Sequence, residues 1–168
     1  MDEAGQGTAG TSATYPQGNG EGAGVMALVR LSTLVQSVFT QVADRHGLPP
    51  SQARMLCVLA GRPSRMAELA RACGVEKAAV TGLVDRAERR GLLLRSPVPG
   101  DRRASLVSLT PPGLSAATAF HQEVTEHLDQ LLAGLGETDR AFFAAAMDAL
   151  LRSAGPDRAR ELQADGTR

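Results

Sequence analysis

The chain has 168 residues, 43% of them hydrophobic, and no net charge, so it holds enough apolar material for one compact core. Its two cysteines are too few for a disulfide scaffold, and neither they nor the three histidines have the spacing of metal ligands. The sequence also lacks a Gly-rich phosphate loop, a nucleophile elbow and a paired acid and base. It therefore favours a protein that is not an enzyme, and it predicts no metal and no cofactor.

Residues 1–24 are predicted to form a disordered Gly-rich tail, because they hold seven Gly and no apolar run typical of a signal peptide. The longest uninterrupted apolar run, residues 141–147, is far shorter than the roughly 18 residues that cross a membrane. We therefore expect a cytoplasmic protein with no membrane partner. Residues 25–47 are predicted to form an amphipathic helix, whose apolar positions are Val25, Leu28, Leu31, Val35, Val38 and Val42.

A short second helix is predicted after the break at Pro49–Pro50. Ser51 is expected to cap its N-terminus, and the helix is expected to run through Leu59. Residues 61–63 (Gly-Arg-Pro) then form a turn, and Ser64 is expected to cap a third helix.

The third and fourth helices have the spacing of a helix-turn-helix. Gly74 can take the positive φ that ends the third helix, and a short turn containing glycine is typical of this unit. The fourth helix is predicted from about Lys77 to Arg90. The small and apolar residues that hold the two helices together are Leu69, Ala70, Val75, Val80 and Leu83.

A β-hairpin is predicted after the fourth helix. Leu92–Leu94 leads into its first strand, residues 99–103 form its turn, and residues 104–109 alternate as its second strand. With this wing, residues 48–110 form a winged helix-turn-helix.

Two further helices are predicted within residues 111–153, followed by a polar tail at 154–168. Thr110 and Pro111 are a capping residue and a proline at the first helical position. The apolar stripes of these helices, like that of residues 25–47, exceed what the winged-helix core can bury, so a second copy of the chain is the expected partner. The predicted fold class is mainly α: a winged helix-turn-helix with long N- and C-terminal dimerisation helices and a small β-hairpin wing. A twofold dimer would place its DNA-binding domains roughly 34–36 Å apart, which matches a pseudo-palindromic site.

The zero net charge conceals an asymmetry along the chain. Residues 61–103 hold ten Lys/Arg and five Asp/Glu, a local net charge of +5, and the rest of the chain carries −5. Positive charge concentrated on the helix-turn-helix and wing favours binding to a polyanion.

The chain resembles the MarR family of transcriptional regulators over roughly residues 25–151. The resemblance is carried by residues 69–75 (LARACGV), 80–86 (VTGLVDR), 88–92 (ERRGL), and 101–103 (DRR) followed by 107–110 (VSLT). It implies a homodimer that binds double-stranded DNA, with the recognition helix in the major groove and the wing in the minor groove. We expect a repressor, released by a small aromatic or amphipathic effector.

The resemblance implies that Arg103 enters the minor groove, that Asp101 holds its guanidinium group, and that Arg102 lies near a phosphate. On the recognition helix, Lys77 can reach a guanine edge or a phosphate, and Thr81 can contact a thymine methyl. The alternative for each is an ordinary solvated surface residue. Further candidates for DNA contact are Ala78 and Gly82 on the groove-facing side, Arg86 at a phosphate, and Ser64 and Arg65 at the third helix's N-terminus.

Glu76 departs from the Ser or Asp that would suit the start of the recognition helix. Its carboxylate is expected to repel phosphates. The sequence therefore does not fix the residue at which this helix begins.

The resemblance also implies an effector pocket between the long helices and the DNA-binding domain. Candidate lining residues are Leu31, Val35, Phe39, Arg54 and Leu114. Core packing is an equal alternative for all of them except Arg54.

Two alternative functions remain open. The winged helix could be a protein-interaction module with little specific DNA binding, which a shallow salt dependence would reveal. The chain could also be a thiol-based redox sensor, although neither Cys57 nor Cys73 has a neighbouring pattern that would lower a thiol pKa.

Overall fold

A computed structural model describes the backbone of residues 22–98 and 100–165, and their side chains except those of 101–104 and 155–165. Most of the tail predicted at residues 1–24 lies outside the described residues. The elements are, in order, α1 (Ala23–Arg45), α2 (Pro50–Gly61), β1 (Ser64–Arg65), α3 (Met66–Cys73), α4 (Lys77–Arg89), β2 (Leu93–Val98), β3 (Asp101–Leu109), α5 (Pro111–Leu132) and α6 (Glu137–Asp165). The predicted class, a mainly helical winged helix-turn-helix, is confirmed.

The chain divides into two units, one up to Leu34 and one from Val35 onward. The second unit contains the helix-turn-helix, formed by α3 and α4, and the wing, formed by β2 and β3. In this unit β2 pairs antiparallel with β3, from Leu93 opposite Leu109 to the hairpin end.

Strand β1 completes a three-stranded sheet in the order β1–β3–β2. It is only two residues long, with Ser64 opposite Val107 and Arg65 opposite Leu106. The sequence does not predict this strand, because two residues are too few to show alternation.

The core lies where α2, the helix-turn-helix and the first half of α5 meet. Phe120 of α5 is 1% exposed, and its ring meets that of Phe39 edge-on with 4.8 Å between centroids. Aromatic pairs favour this geometry because the positive ring edge faces the negative ring face. The other large buried side chains include Val42, Met55, Leu56, Leu69, Val80, Val84 and Val107.

The start of α5 is joined closely to the end of α4. The Thr110 side chain accepts a hydrogen bond from the Gly113 N–H, which confirms the predicted cap. The Thr110 hydroxyl also donates to the Gly91 carbonyl at 2.6 Å, and the Thr110 backbone N–H donates to the Leu92 carbonyl at 3.1 Å. A Cβ at Gly113 would lie 1.9 Å from the Leu92 carbonyl oxygen, so only glycine fits there.

Two predicted caps were wrong. Pro49 is the N-cap of α2 and Arg65 that of α3, and neither forms a side-chain capping hydrogen bond. Ser51 lies inside α2, because Pro50 with its fixed φ already begins that helix. Ser64 is held in β1 by its pairing with β3.

By length and composition, α1 could cross a membrane, and it is the one described helix that could. Counting uninterrupted apolar residues missed this property, because isolated polar residues such as Arg30 interrupt the run. An apolar helix covered by a second protein surface has the same composition.

Candidate nucleic-acid interface

The turn between α3 and α4 has the geometry that the spacing predicted. Gly74 takes the left-handed conformation with φ 65° and ψ 35°, and its N–H donates to the Arg71 carbonyl. The Val75 N–H donates to the Ala70 carbonyl at 3.0 Å, which closes the turn. The glycine lets the chain reverse here without the steric cost that a Cβ would bring.

Helix α4 has one buried face and one exposed face. Val80, Leu83, Val84 and Ala87 are buried, which fixes the rotation of the helix about its axis. The opposite face is open to solvent at its N-terminal end, where Lys77, Ala78 and Thr81 are exposed and Gly82 is partly buried.

Two polar side chains of this exposed face lie against α4 itself. The Thr81 hydroxyl donates to the Lys77 carbonyl at 3.1 Å, so its methyl group and oxygen lone pairs remain available to a ligand. The Arg86 guanidinium lies beside Gly82, with Nη1 3.3 Å from the point that a Cβ at residue 82 would occupy. The space that a side chain at position 82 would fill is therefore next to the Arg86 guanidinium, so glycine here makes room for Arg86 as well as for DNA.

At the start of α3, the two predicted phosphate contacts differ. Arg65 is exposed, whereas Ser64 is 3% exposed and its hydroxyl donates to the Arg62 carbonyl at 3.4 Å. Ser64 is buried because β1 pairs with β3 at this position. Its side chain therefore does not lie on the same surface as Arg65.

The wing candidates Asp101, Arg102 and Arg103 lie at the start of β3, and their side chains are outside the described residues. Gly100 precedes them with φ 80°, which is typical of a tight hairpin turn.

Arg95 of β2 joins the wing to α4, a role that its place in the sequence does not predict. Its guanidinium contacts Asp85 at 2.5 Å and Glu88 at 3.2 Å, both on α4. Because these acids are one helical turn apart, a single guanidinium can bridge them. In the sequence, Arg95 is only one of the ten basic residues between positions 61 and 103.

Arg90, the residue that follows α4, makes a comparable connection to α2 and the loop before it. It donates to the Gln52 side chain at 2.9 Å and to the Gly47 carbonyl at 3.2 Å. Gln52 is a buried polar residue of α2 and needs such a partner. Not all of the local positive charge is therefore free to bind a polyanion.

A cavity of about 370 Å³ lies beside the helix-turn-helix. Three of the predicted effector residues line it, namely Val35, Phe39 and Arg54, and the Arg54 guanidinium lies 5.9 Å from the Phe39 ring centroid. The rest of the lining is Gln36, Thr40, Pro50, Ser51, Cys73 and Val75.

The other two effector candidates lie elsewhere. Leu31 belongs to the unit that ends at Leu34, and Leu114 lines a different cavity of about 400 Å³ between α2 and α5. That second cavity is also lined by Cys57 and His121.

Burial raises the pKa of both cysteine thiols. For Cys73, the positive charge of Arg54 opposes this effect without cancelling it. A raised pKa lowers the thiolate fraction at neutral pH, which argues against redox sensing by either residue.

Arg45 and His46, at the end of α1, take part in an ion-pair cluster with Glu123 and His127 of α5. Glu123 contacts Arg45 Nε and His46 Nε2, each at 2.7 Å, and His127 contacts Arg45 at 3.0 Å. The hydrogen bond from His46 is the main cause that lowers the pKa of Glu123, and the charges of Arg45, His46 and His127 add to it. Among the described residues, no group of three or more His, Cys, Asp or Glu is arranged to hold a metal.

Comparisons with known proteins agree with this geometry. Residues 46–104 match the model of the MarR family. The chain is 33% identical over 108 residues to the homoprotocatechuate degradative operon repressor of Escherichia coli, covering 63% of this chain and 72% of that protein.

Two solved structures show the same fold. Apo wild-type MarR from E. coli has a TM-score of 0.64 and 26% identity, covering 74% of this chain and 96% of that one. NadR in complex with 4-hydroxyphenylacetate has a TM-score of 0.63 and 20% identity, covering 86% and 97%.

Proposed function

Because the chain belongs to the MarR family of transcriptional regulators, we propose that it represses transcription as a homodimer bound to a pseudo-palindromic DNA operator. Membership of this family confirms the resemblance stated above and the prediction that the chain is not an enzyme. The observation that carries the proposal is the exposed N-terminal face of α4. It lies beside a wing that Arg95 ties to the same helix.

The division of roles within the DNA contact follows from chemistry. Lys77, Ala78, Thr81 and Gly82 face the major groove, and Arg65 and Arg86 neutralise phosphates. The proposal retains, from the sequence, a wing contact by Asp101, Arg102 and Arg103 in the minor groove. Ser64 supports the sheet instead, because its side chain is buried.

A second copy of the chain is proposed to cover the exposed apolar side chains of the long helices. In the first unit, α1 exposes Val25, Leu28, Val29 and Leu34. In the second unit, Phe142 and Leu151 of α6 are 77% and 73% exposed, and Leu131 and Leu150 are also open. Isolated apolar residues are common on surfaces, but a series of them along long helices is typical of an obligate interface. This second copy, rather than a membrane, is our proposed partner of α1, and we place the protein in the cytoplasm.

The cavity lined by Arg54 and Phe39 is proposed to bind a small aromatic carboxylate as effector. Arg54 can pair with a carboxylate, and Phe39 and Val35 supply apolar surface for a ring. The solved complex of NadR with 4-hydroxyphenylacetate supports this class of ligand. In the cavity wall, Cys73 ends α3 and Val75 lies in the turn before α4, so a bound ligand would shift the population of recognition-helix positions.

Fluorescence anisotropy with duplex DNA from the gene's own upstream region tests the proposal. We expect tight binding whose logarithm falls steeply with the logarithm of salt concentration, because several phosphates are neutralised. Arg103→Ala should weaken binding and make the slope shallower by about one unit. Binding no tighter than to random DNA, unaffected by the substitution, would contradict a specific repressor at that promoter. It would favour the protein-interaction alternative.

The effector is tested in the same assay with 4-hydroxyphenylacetate as probe. We expect it to release DNA from the wild type and to have a weaker effect on Arg54→Ala. Release that is identical in both proteins would remove Arg54 from the proposed site.

A further inference from the structure

Arg90, at the C-terminal end of α4, is one of the ten basic residues between positions 61 and 103, but its guanidinium is engaged within the protein. Nη1 donates to Gln52 Oε1 at 2.9 Å, and Nη2 donates to the Gly47 carbonyl at 3.2 Å. Gln52 lies in the first turn of α2 and is 1% exposed, whereas Gly47 lies in the loop between α1 and α2. One guanidinium therefore holds the end of the recognition helix to two other elements.

The buried oxygen of Gln52 keeps Arg90 from exchanging this contact for a DNA phosphate. A buried acceptor that loses its donor costs free energy, because the hydrogen bond is not replaced by one to water. Arg89, the preceding residue, has no such constraint. It is exposed, and its Nε donates to the Asp85 carbonyl at 3.3 Å, within α4 itself. The two neighbouring arginines thus carry the same charge but differ in what their side chains hold.

Arg90 is placed where it can control the tilt of α4. The helix has 13 residues and is therefore roughly 20 Å long, with the proposed base contacts at its N-terminal end and Arg90 just beyond its C-terminal end. Its buried apolar side chains fix the rotation about the helix axis, but apolar contacts have no preferred direction and restrain a tilt less. Hydrogen bonds are directional, so the contacts of Arg90 add the missing restraint. Base recognition needs this restraint, because the contacting side chains must be held within roughly 0.5 Å of their productive geometry.

We propose that Arg90 is a positioning residue that sets the tilt of the recognition helix, and thereby its preference for the operator, without touching DNA itself. This inference rests on the proposed DNA-binding function. Removal of Arg90 should not change the number of phosphates that the protein neutralises. Binding to random DNA depends on those phosphates rather than on the exact placement of α4, so Arg90 acts on the affinity ratio between operator and random DNA.

The test is selection of bound duplexes from a random pool by the full-length wild type, followed by anisotropy titrations of one selected and one random duplex across a salt series. Arg90→Met removes the guanidinium and keeps an aliphatic stem. Arg89→Met is the matched control, because it removes the same charge from the adjacent residue. The double variant Gln52→Met with Arg90→Met removes both polar partners and leaves no buried oxygen unpaired, so it decides alone if Arg90→Met does not fold.

Arg90→Met should bind the selected duplex about tenfold more weakly than the wild type, which is the cost of about one lost base contact. It should bind random DNA no more weakly than Arg89→Met does, and its salt slope should equal that of the wild type. The double variant should recover the wild-type melting temperature but keep the tenfold loss. Arg89→Met should change both affinities by the same factor, so that their ratio stays at the wild-type value.

Four results would overturn the inference. Equal losses on both duplexes in Arg90→Met, with a salt slope shallower by about one unit, would show that Arg90 contacts a phosphate. A lower melting temperature with the wild-type affinity ratio would show that it only stabilises the fold. A wild-type ratio in the double variant would show that the unpaired Gln52 oxygen, and not the lost restraint, weakened binding. A wild-type protein that selects no motif would overturn the proposed function itself, and the inference with it.

Discussion

The two halves of α5 carry one continuous apolar stripe but lie in different surroundings. In the first half, Ala117 and Phe120 of the stripe are buried against the winged helix together with Gly113, whereas Leu114 is 50% exposed. In the second half Leu128 is only partly buried, and Leu131 is 44% exposed. The stripe has the same period throughout, so its burial is decided by what the rest of the chain provides. The difference shows that the winged helix has a core of its own within one chain, whereas the end of α5 leaves part of its stripe in solvent.

The largest expected effect lies in the buried half. Phe120→Ala should lower the free energy of unfolding by about 3–5 kcal/mol, because it removes a large buried ring and its contact with Phe39. Chemical denaturation at a fixed protein concentration measures this change. A loss below about 1 kcal/mol would mean that α5 is not anchored to the core as described.

Replacing an exposed phenylalanine with alanine has a different expected effect. Phe142→Ala should leave the helical content unchanged but weaken self-association about tenfold or more, because Phe142 lies on the surface proposed for the second copy. Sedimentation equilibrium over a concentration series measures the dissociation constant. Unchanged self-association would place the dimer interface elsewhere.

The smallest effect concerns Glu123, which links α5 to the end of α1. Because its pKa is lowered in the folded state, mainly by the hydrogen bond from His46, its carboxylate stabilises the fold above its unfolded-state pKa. That stabilisation is lost as the pH falls below the ordinary Glu pKa of about 4.3 and through the folded-state pKa. The stability difference between wild type and Glu123→Gln should therefore shrink on acidification from pH 6 to pH 3. Thermal unfolding at each pH measures it, and a difference that grows on acidification would contradict the assignment.

The helix-turn-helix could be predicted because local signals and packing agree there. Gly74 supplies the turn, Val80 and Leu83 supply the contact, and Thr110 marks the start of α5. Each of these signals lies within a few residues of the feature that it predicts. Such consistency between local and tertiary preferences is typical of a well-defined fold.

The remaining features depend on contacts between distant parts of the chain. Arg95 and Arg90 look like solvated charges in the sequence, but their partners on α4 and α2 are set by folding. Ser64 looks like a helix cap, but sheet pairing with β3 buries it. The resemblance to the MarR family suggested that Val35 and Phe39 line a pocket, and they do line one cavity. It could not show that Leu114 lines a different cavity.

Gly113 has a consequence for how this chain can change during evolution. It lies in the first turn of a helix without a positive φ, where propensity alone would favour its replacement by alanine. The Leu92 carbonyl occupies the space that any side chain would need. Position 113 should thus accept only glycine in a survey of functional variants, although nearby helical positions accept many residues. The close packing of α5 against the end of α4 therefore depends on residue 113 having no Cβ atom.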